Sequence, residues 1–119
     1  MKKELTIALF ILILFCSGCT KSSDSELEPK SETSVKELAT QKCIDECKNR
    51  LDLEIDLSDG PCLSDEDVNW MIEDWVCDVA HDPREDVDNQ PENQCQTYRE
   101  GRAHHFVEVD PDCKFIRAV

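Results

Sequence analysis

Two cysteines three apart, Cys16 and Cys19 in the stretch FCSGCTKSS, have the spacing of a thiol redox pair or of half a zinc site. Six more follow at Cys43, Cys47, Cys62, Cys77, Cys95 and Cys113. If their thiols stayed reduced, Cys43 and Cys47 would offer another zinc half-site. The imidazoles of His81, His104 and His105 are the side chains that ordinarily titrate near neutral pH. Asp78 and His81 would share one face if a helix ran through them, and with His104 or His105 they make a ligand set for a divalent ion. Acids outnumber bases 27 to 13, so no single pair of carboxylates stands out as the acid and base of a hydrolase. There is no G-x-S-x-G, and three glycines cannot build a phosphate-cradling loop.

The context of the first two cysteines decides their chemistry. Lys2 and Lys3 begin the chain, LTIALFILILF follows from Leu5 to Phe15, and Ser17 and Gly18 are small. A basic start, a short apolar core and a small-residue cleavage zone make a secretory signal peptide over residues 1–18. The apolar run falls short of the ~20 residues a membrane-spanning helix needs. The stretch CSGC resembles the lipobox of prokaryotic lipoproteins, over residues 1–19 only. That resemblance implies that Cys19 receives a diacylglyceryl group and becomes the mature N-terminus. Cys16 stands where the family usually has leucine. Two acyl chains on one cysteine supply the double anchor that a single chain does not.

Cleavage and lipidation leave six cysteines, an even number in a small exported domain, which reads as a disulfide framework. Cleavage also removes Lys2, Lys3 and Glu4, so the mature chain is one charge more negative than the formal −14 of the whole. Such a surface repels nucleic acid and anionic head groups. The expected partners are therefore the bilayer through acylated Cys19 and an extracytoplasmic protein or small ligand. Residues 19–33 are the lipidated N-terminus and a Ser-, Glu- and Lys-rich tether that cannot bury a core. Its reach is roughly 20 Å. Residues 34–119 form one domain, too small to rely on its apolar core alone.

The elements that position these groups follow from period and punctuation. Ser34 and Glu37 have capping-box spacing ahead of a helix from about Val35 to Arg50, with Val35, Leu38, Ile44, Cys47 and Leu51 on its apolar side. Cys43 and Cys47, one turn apart, are too poorly aimed to bond each other, so each is expected to reach a different element. Leu51, Leu53, Ile55 and Leu57 alternate with acids, which predicts a strand ended by Asp59-Gly60-Pro61. An EF-hand loop fails there, because Ile55 and Leu57 fall on ligand positions when Gly60 is the invariant glycine. Ser64 and the acids after it predict a helix from about Asp65, with WVCDVA as its last third or as a short strand. Trp70 and Trp75 cannot share one helical face, so one is expected in the core and Trp70 partly buried. HDPREDVDNQPENQ is a long irregular loop that a Cys77–Cys95 bridge would pin, although six cysteines allow 15 pairings and spacing does not choose. A short helix over PENQCQTYREG and two strands flanking Asp110-Pro111-Asp112 complete the chain.

These elements predict an α+β fold: a disulfide-rich domain of two or three short helices with a small antiparallel sheet. The expected function is non-catalytic binding outside the cytoplasm through the loop from His81 to Asn93, including Arg84, and the neighbouring His104 and His105. No cofactor is required by this reading. The alternative is a lipoprotein that binds a divalent metal ion through Asp78, His81 and His104 or His105, and a hydrolase stands third.

Overall fold

Helix α1 runs from Glu32 to Asp52 and buries a stripe of small side chains, Ala39, Cys43 and Cys47, at four-residue intervals. The computed structural model describes residues 32–119, with side-chain surroundings from Ser34. The expected signal peptide, Cys19 and the tether lie outside the described residues. Ser34, expected as the N-cap, lies within the helix. Val35 and Ile44 flank the buried stripe, whereas Leu38 and Leu51 are exposed. The helix face is thus chosen by the two cysteines rather than by the largest apolar residues.

The predicted strand over Leu51 to Leu57 is not formed. The helix continues through Leu51 and Asp52 and closes with Glu54 at φ 59°. The Ile55 amide donates to the Arg50 carbonyl and the Glu54 amide to that of Leu51, the two crossed bonds of a Schellman ending. The alternating leucines therefore never meet a sheet: Leu53 is 72 % exposed, and only Leu57 is buried. The predicted helix from Asp65 is not formed either. Ser64, assigned as its cap, is buried, and its hydroxyl accepts the Cys77 amide instead. Turns follow, and Val68 and Met71 of the expected apolar stripe are 91 % and 85 % exposed.

The last third of that segment is a strand, β1, from Trp75 to Val79, with every residue buried. It pairs in parallel with β2, His105–Val109, which pairs antiparallel with β3, Phe115–Ala118. The α+β class holds, and the sheet is mixed rather than wholly antiparallel. A parallel pair needs a long crossover. Residues 80–104 supply it, passing through short 3-10 turns at Asp86–Asn89 and Pro91–Asn93 and the one-turn helix α2, Gln96–Arg99. The long irregular loop of the sequence is that crossover.

Helix α1 covers one face of the sheet, where Trp75, Cys77, Val79, Val107 and Val109 meet its buried stripe together with Leu57 and Leu63. Each fully buried aliphatic side chain there contributes about 1.5–3 kcal/mol. Trp70 is partly buried against this core, and its indole donates to the Trp75 carbonyl at 2.8 Å.

Three disulfides stitch the layers. Cys43 bonds Cys77 on β1, and Cys47 bonds Cys113 in the turn between β2 and β3. The two cysteines one helical turn apart thus reach different elements, as their aim requires. The third bridge is Cys62–Cys95, so the Cys77–Cys95 pairing is replaced: Cys77 faces α1, while Cys95 lies on the other side of β1. Cα separations of 4.9–5.6 Å are those of ordinary disulfides. This density of bridges belongs to an oxidising, extracytoplasmic environment. Among the described residues no helix is long and apolar enough to cross a membrane.

Candidate functional site

The face of the sheet turned away from α1 is only partly covered. Alternation along β1 and β2 sends Val76, Asp78, Phe106 and Glu108 to this side. Segment 62–64 runs antiparallel beside β1, bridging Cys62 to Asp78, and its disulfide draws Cys95 and the start of α2 over the sheet. What remains open is a cleft of about 360 Å³. Val76, Phe106 and Tyr98 form its apolar surface, with the Tyr98 ring edge-on to Phe106 at 5.2 Å. Its charged lining is Asp78, Glu108, Arg84, Arg99 and Arg117.

Glu108 is buried, and each of its oxygens takes a different arginine. Arg84 Nη1 donates to Oε1 at 2.8 Å from the crossover, and Arg117 Nε donates to Oε2 at 2.6 Å from β3. Arg84 is braced further by the Asn89 side-chain oxygen and the Asp88 carbonyl. Arg117 lies over the Phe106 ring at 5.1 Å, and among the described residues it hydrogen-bonds through Nε alone. Glu108 also raises the pKa of Arg117, first by hydrogen bonding and then by its charge.

Asp78 stands opposite Glu108 in the parallel register and is 9 % exposed. Among the described residues no N–H or O–H group donates to its carboxyl. Cys95 Sγ stands 3.8 Å from Oδ1 and, being in a disulfide, has no hydrogen to give. Burial, then the charge of Glu108, push the Asp78 pKa up to about 8; Arg84 opposes them, and Asp88 and Asp65 reinforce them. At neutral pH the cleft therefore holds one protonated carboxyl and one carboxylate clamped by two guanidinium groups.

Asp88 is the other buried aspartate, 1 % exposed, and it organises the crossover. Its oxygens accept the amides of His81 and Glu85, and Oδ1 lies 2.9 Å from His81 Nδ1. Burial opposes its ionisation, but the Glu85 amide and the His81 contacts outweigh burial and hold its pKa low. The same hydrogen bond raises the pKa of His81. Gly60, at φ 71°, closes the arrangement: a Cβ there would stand 2.6 Å from Asp88 Oδ1 and 2.9 Å from the Val79 carbonyl.

The residues singled out from sequence are therefore dispersed. Arg84 is in the cleft, while His81 lies past the C-terminal end of β1 and is engaged with Asp88. His104 and His105 sit at the opposite, N-terminal end of the parallel pair, both on Asp74, at 2.6 and 3.6 Å. The ring of His105 stacks on Trp75 at 4.8 Å. The length of a five-residue strand, about 16 Å, separates His81 from that histidine pair. The ligand set Asp78, His81 and His104 or His105 is not assembled, nor do His104 and His105 neighbour the His81–Asn93 loop. Among the described residues the one compact group of potential ligands is Cys62, Asp78 and Cys95, and its two sulfurs are consumed by a disulfide. The cleft's Glu108, Arg99, Arg117, Tyr98 and Phe106 carried no sequence signal beyond the strand alternation that sets Phe106 and Glu108 on the same face of β2.

Comparison of the chain with protein-family models, characterised proteins and solved structures gives no match.

Proposed function

We propose that the chain is a non-catalytic binding module, tethered through a lipid on Cys19 to the outer face of a cell membrane, with the cleft beneath Arg84, Arg99 and Arg117 as its recognition surface. The observation that carries the reading is the cleft itself. Its volume of about 360 Å³ admits a small molecule or the end of a peptide, and polar groups from four elements converge on an apolar floor. The anchoring part rests on the basic start, the apolar run and the Ser17-Gly18-Cys19 ending, and three disulfides agree with export.

Catalysis draws less support from the same groups. Among the described residues the cleft lining includes no histidine, serine or free thiol to act as nucleophile or base. Glu108 has each of its oxygens engaged by a different arginine, which leaves it poorly placed to take a proton from a ligand.

Anchoring is tested by metabolic palmitate labelling and membrane fractionation. Wild type should carry label in the membrane fraction, and Cys19→Ala should lose both label and retention. An uncut, unlabelled wild-type chain in the cytosol would overturn the anchor. Binding is tested by a thermal-shift screen of small metabolites and short peptides in chelator. Compounds that raise the midpoint should lose their effect in Gln94→Trp, which adds bulk to the cleft lining. Hits undiminished in that variant would move the recognition surface elsewhere. A midpoint that collapses in chelator alone would favour a metal protein.

A further inference from the structure

Three of the chain's five arginines line one cleft of a molecule whose formal net charge is −14. Glu108 neutralises part of that positive charge. It also fixes the Arg84 and Arg117 guanidinium groups on either side of itself, with Nη1 of one and Nε of the other as the contacting atoms. The terminal nitrogens of Arg117 make no hydrogen bond among the described residues, and Arg99 uses only Nη1, on the Pro91 carbonyl. Beside them is Asp78, nine-tenths buried in the cleft wall with no donor on its carboxyl. A buried polar side chain without a partner is costly, and a ligand is one way to supply the partner.

We propose that the cleft binds a carboxylate: Arg117 and Arg99 hold the anionic head, the Asp78 carboxyl donates one hydrogen bond to it, and Phe106, Tyr98 and Val76 take the apolar part of the same molecule. This deepens the binding-module reading and rests on it. Arginine forks suit planar two-oxygen anions, where two parallel N–H bonds give geometry as well as attraction. Glu108 remains negative in the cleft, which disfavours a doubly charged phosphate relative to a singly charged carboxylate. The apolar floor is adjacent, so a bare inorganic anion leaves half of the cleft unused. Two sources offer this chemistry: a free aryl or alkyl acid, and the C-terminal carboxylate of a peptide.

The protonated state of Asp78 gives the site a pH signature. The charged groups around it are Glu108 on β2, Arg117 on β3, Arg84 and Asp88 from the crossover, Arg99 on α2, and Asp65 beyond the 62–64 segment. With its pKa raised to about 8, Asp78 donates to a bound carboxylate at neutral pH and repels it once ionised. Affinity therefore falls as pH rises through about 8.

The test uses the full chain with its disulfides formed, titrated with phenylacetate, phenylacetamide, a tripeptide ending in phenylalanine as free acid or amide, and inorganic phosphate. The readouts are NMR shifts of the arginine Nε–H groups and of the Val76 and Phe106 amides. Phenylacetate and the free-acid peptide should give saturable shifts at these positions, and both amides should bind at least about tenfold more weakly. Tighter binding of the free-acid peptide identifies a chain terminus as the source, and tighter phenylacetate a free acid. Arg117→Gln should weaken carboxylate binding about tenfold. If that variant folds poorly, Arg99→Gln, at an exposed position, should give a smaller loss in the same direction. Asp78→Asn should bind at pH 7 and lose the decline between pH 7 and 9. Equal affinity for acid and amide overturns the carboxylate assignment while leaving the cleft as the binding surface. Saturable phosphate binding without carboxylate binding, or no saturable shift from any probe, overturns it as well. Shifts confined to Val35, Leu38 and Met71 beside α1 would sink the underlying choice of surface.

Discussion

The two faces of the three-stranded sheet are built on opposite principles. Beneath α1 the contacts are apolar and covalent: two disulfides, a row of valines, and buried leucines from the intervening segments. On the cleft face the contacts are ionic and incomplete, with two buried carboxyls, three arginines and a single disulfide at the edge. The two buried aspartates state the difference most plainly. Asp88 is met by two amides and an imidazole and stays ionised, whereas Asp78 meets no donor and stays protonated at neutral pH. A carboxylate placed for stability is surrounded by donors. One left without them on the wall of a cleft weakens the fold, and that is why the cleft face is where binding is sought.

The contrast can be broken most severely at the sulfurs. Replacing Cys47 and Cys113 together by alanine opens a closure spanning 66 positions and should cost roughly 4 kcal/mol, read by urea titration. Full reduction should abolish cooperative unfolding at 37 °C. An oxidised chain whose intact mass still holds six free thiols would remove the basis of the α1 face altogether.

After the loss of folding on full reduction comes the proton on Asp78. Its folded pKa of about 8 lies above the ordinary 3.8, so the folded state binds the extra proton between those values. Stability should then fall as pH rises from about 4 to 8, with this group contributing a slope of roughly 1.4 kcal/mol per pH unit. Asp78→Asn should remove that slope and be the more stable protein at pH 8, by urea midpoint. Asp88 has the opposite sign, its lowered pKa giving stability that is lost on acidification, and His81 contributes stability below its ordinary pKa that fades as pH rises. Identical pH profiles for wild type and Asp78→Asn would erase the distinction between the two aspartates.

Gly60→Ala tests the supported aspartate. The added methyl collides with Asp88 Oδ1 and the Val79 carbonyl at a left-handed backbone position, so a loss of about 1–3 kcal/mol is expected. Proteolysis should then begin in the crossover rather than in α1. The smallest effect belongs to His104→Ala, an exposed partner of Asp74 whose contact is open to water and should barely move the urea midpoint. A larger loss there would mean that the histidine end of the sheet carries more of the fold than its exposure allows.

Sequence reading succeeded where local chemistry is decisive and failed where two local rules competed. The terminal strands, the turn at Asp110 and the divergent aim of Cys43 and Cys47 were all legible. The acid–leucine alternation after Arg50 has a clean strand period, yet α1 runs on into it because two further residues cap the helix without tertiary help. The apolar positions from Val68 to Val79 have helical spacing, but the Cys43–Cys77 bridge and the pairing with β2 hold the last of them extended. Propensity lost there to contacts from thirty or more residues away.

The chain's own residue types determined the α+β class, the six-cysteine framework, the acidic surface and the two ends of the crossover, because period, turn chemistry and charge act over a few residues. The pairing of the cysteines, the parallel register that sets Asp78 beside Glu108, and the meeting of Arg84, Arg99 and Arg117 over one cleft were decided only by the tertiary structure. Each of these joins residues far apart in sequence, and the pKa of a carboxyl depends on which donors reach it in space, which no local pattern encodes.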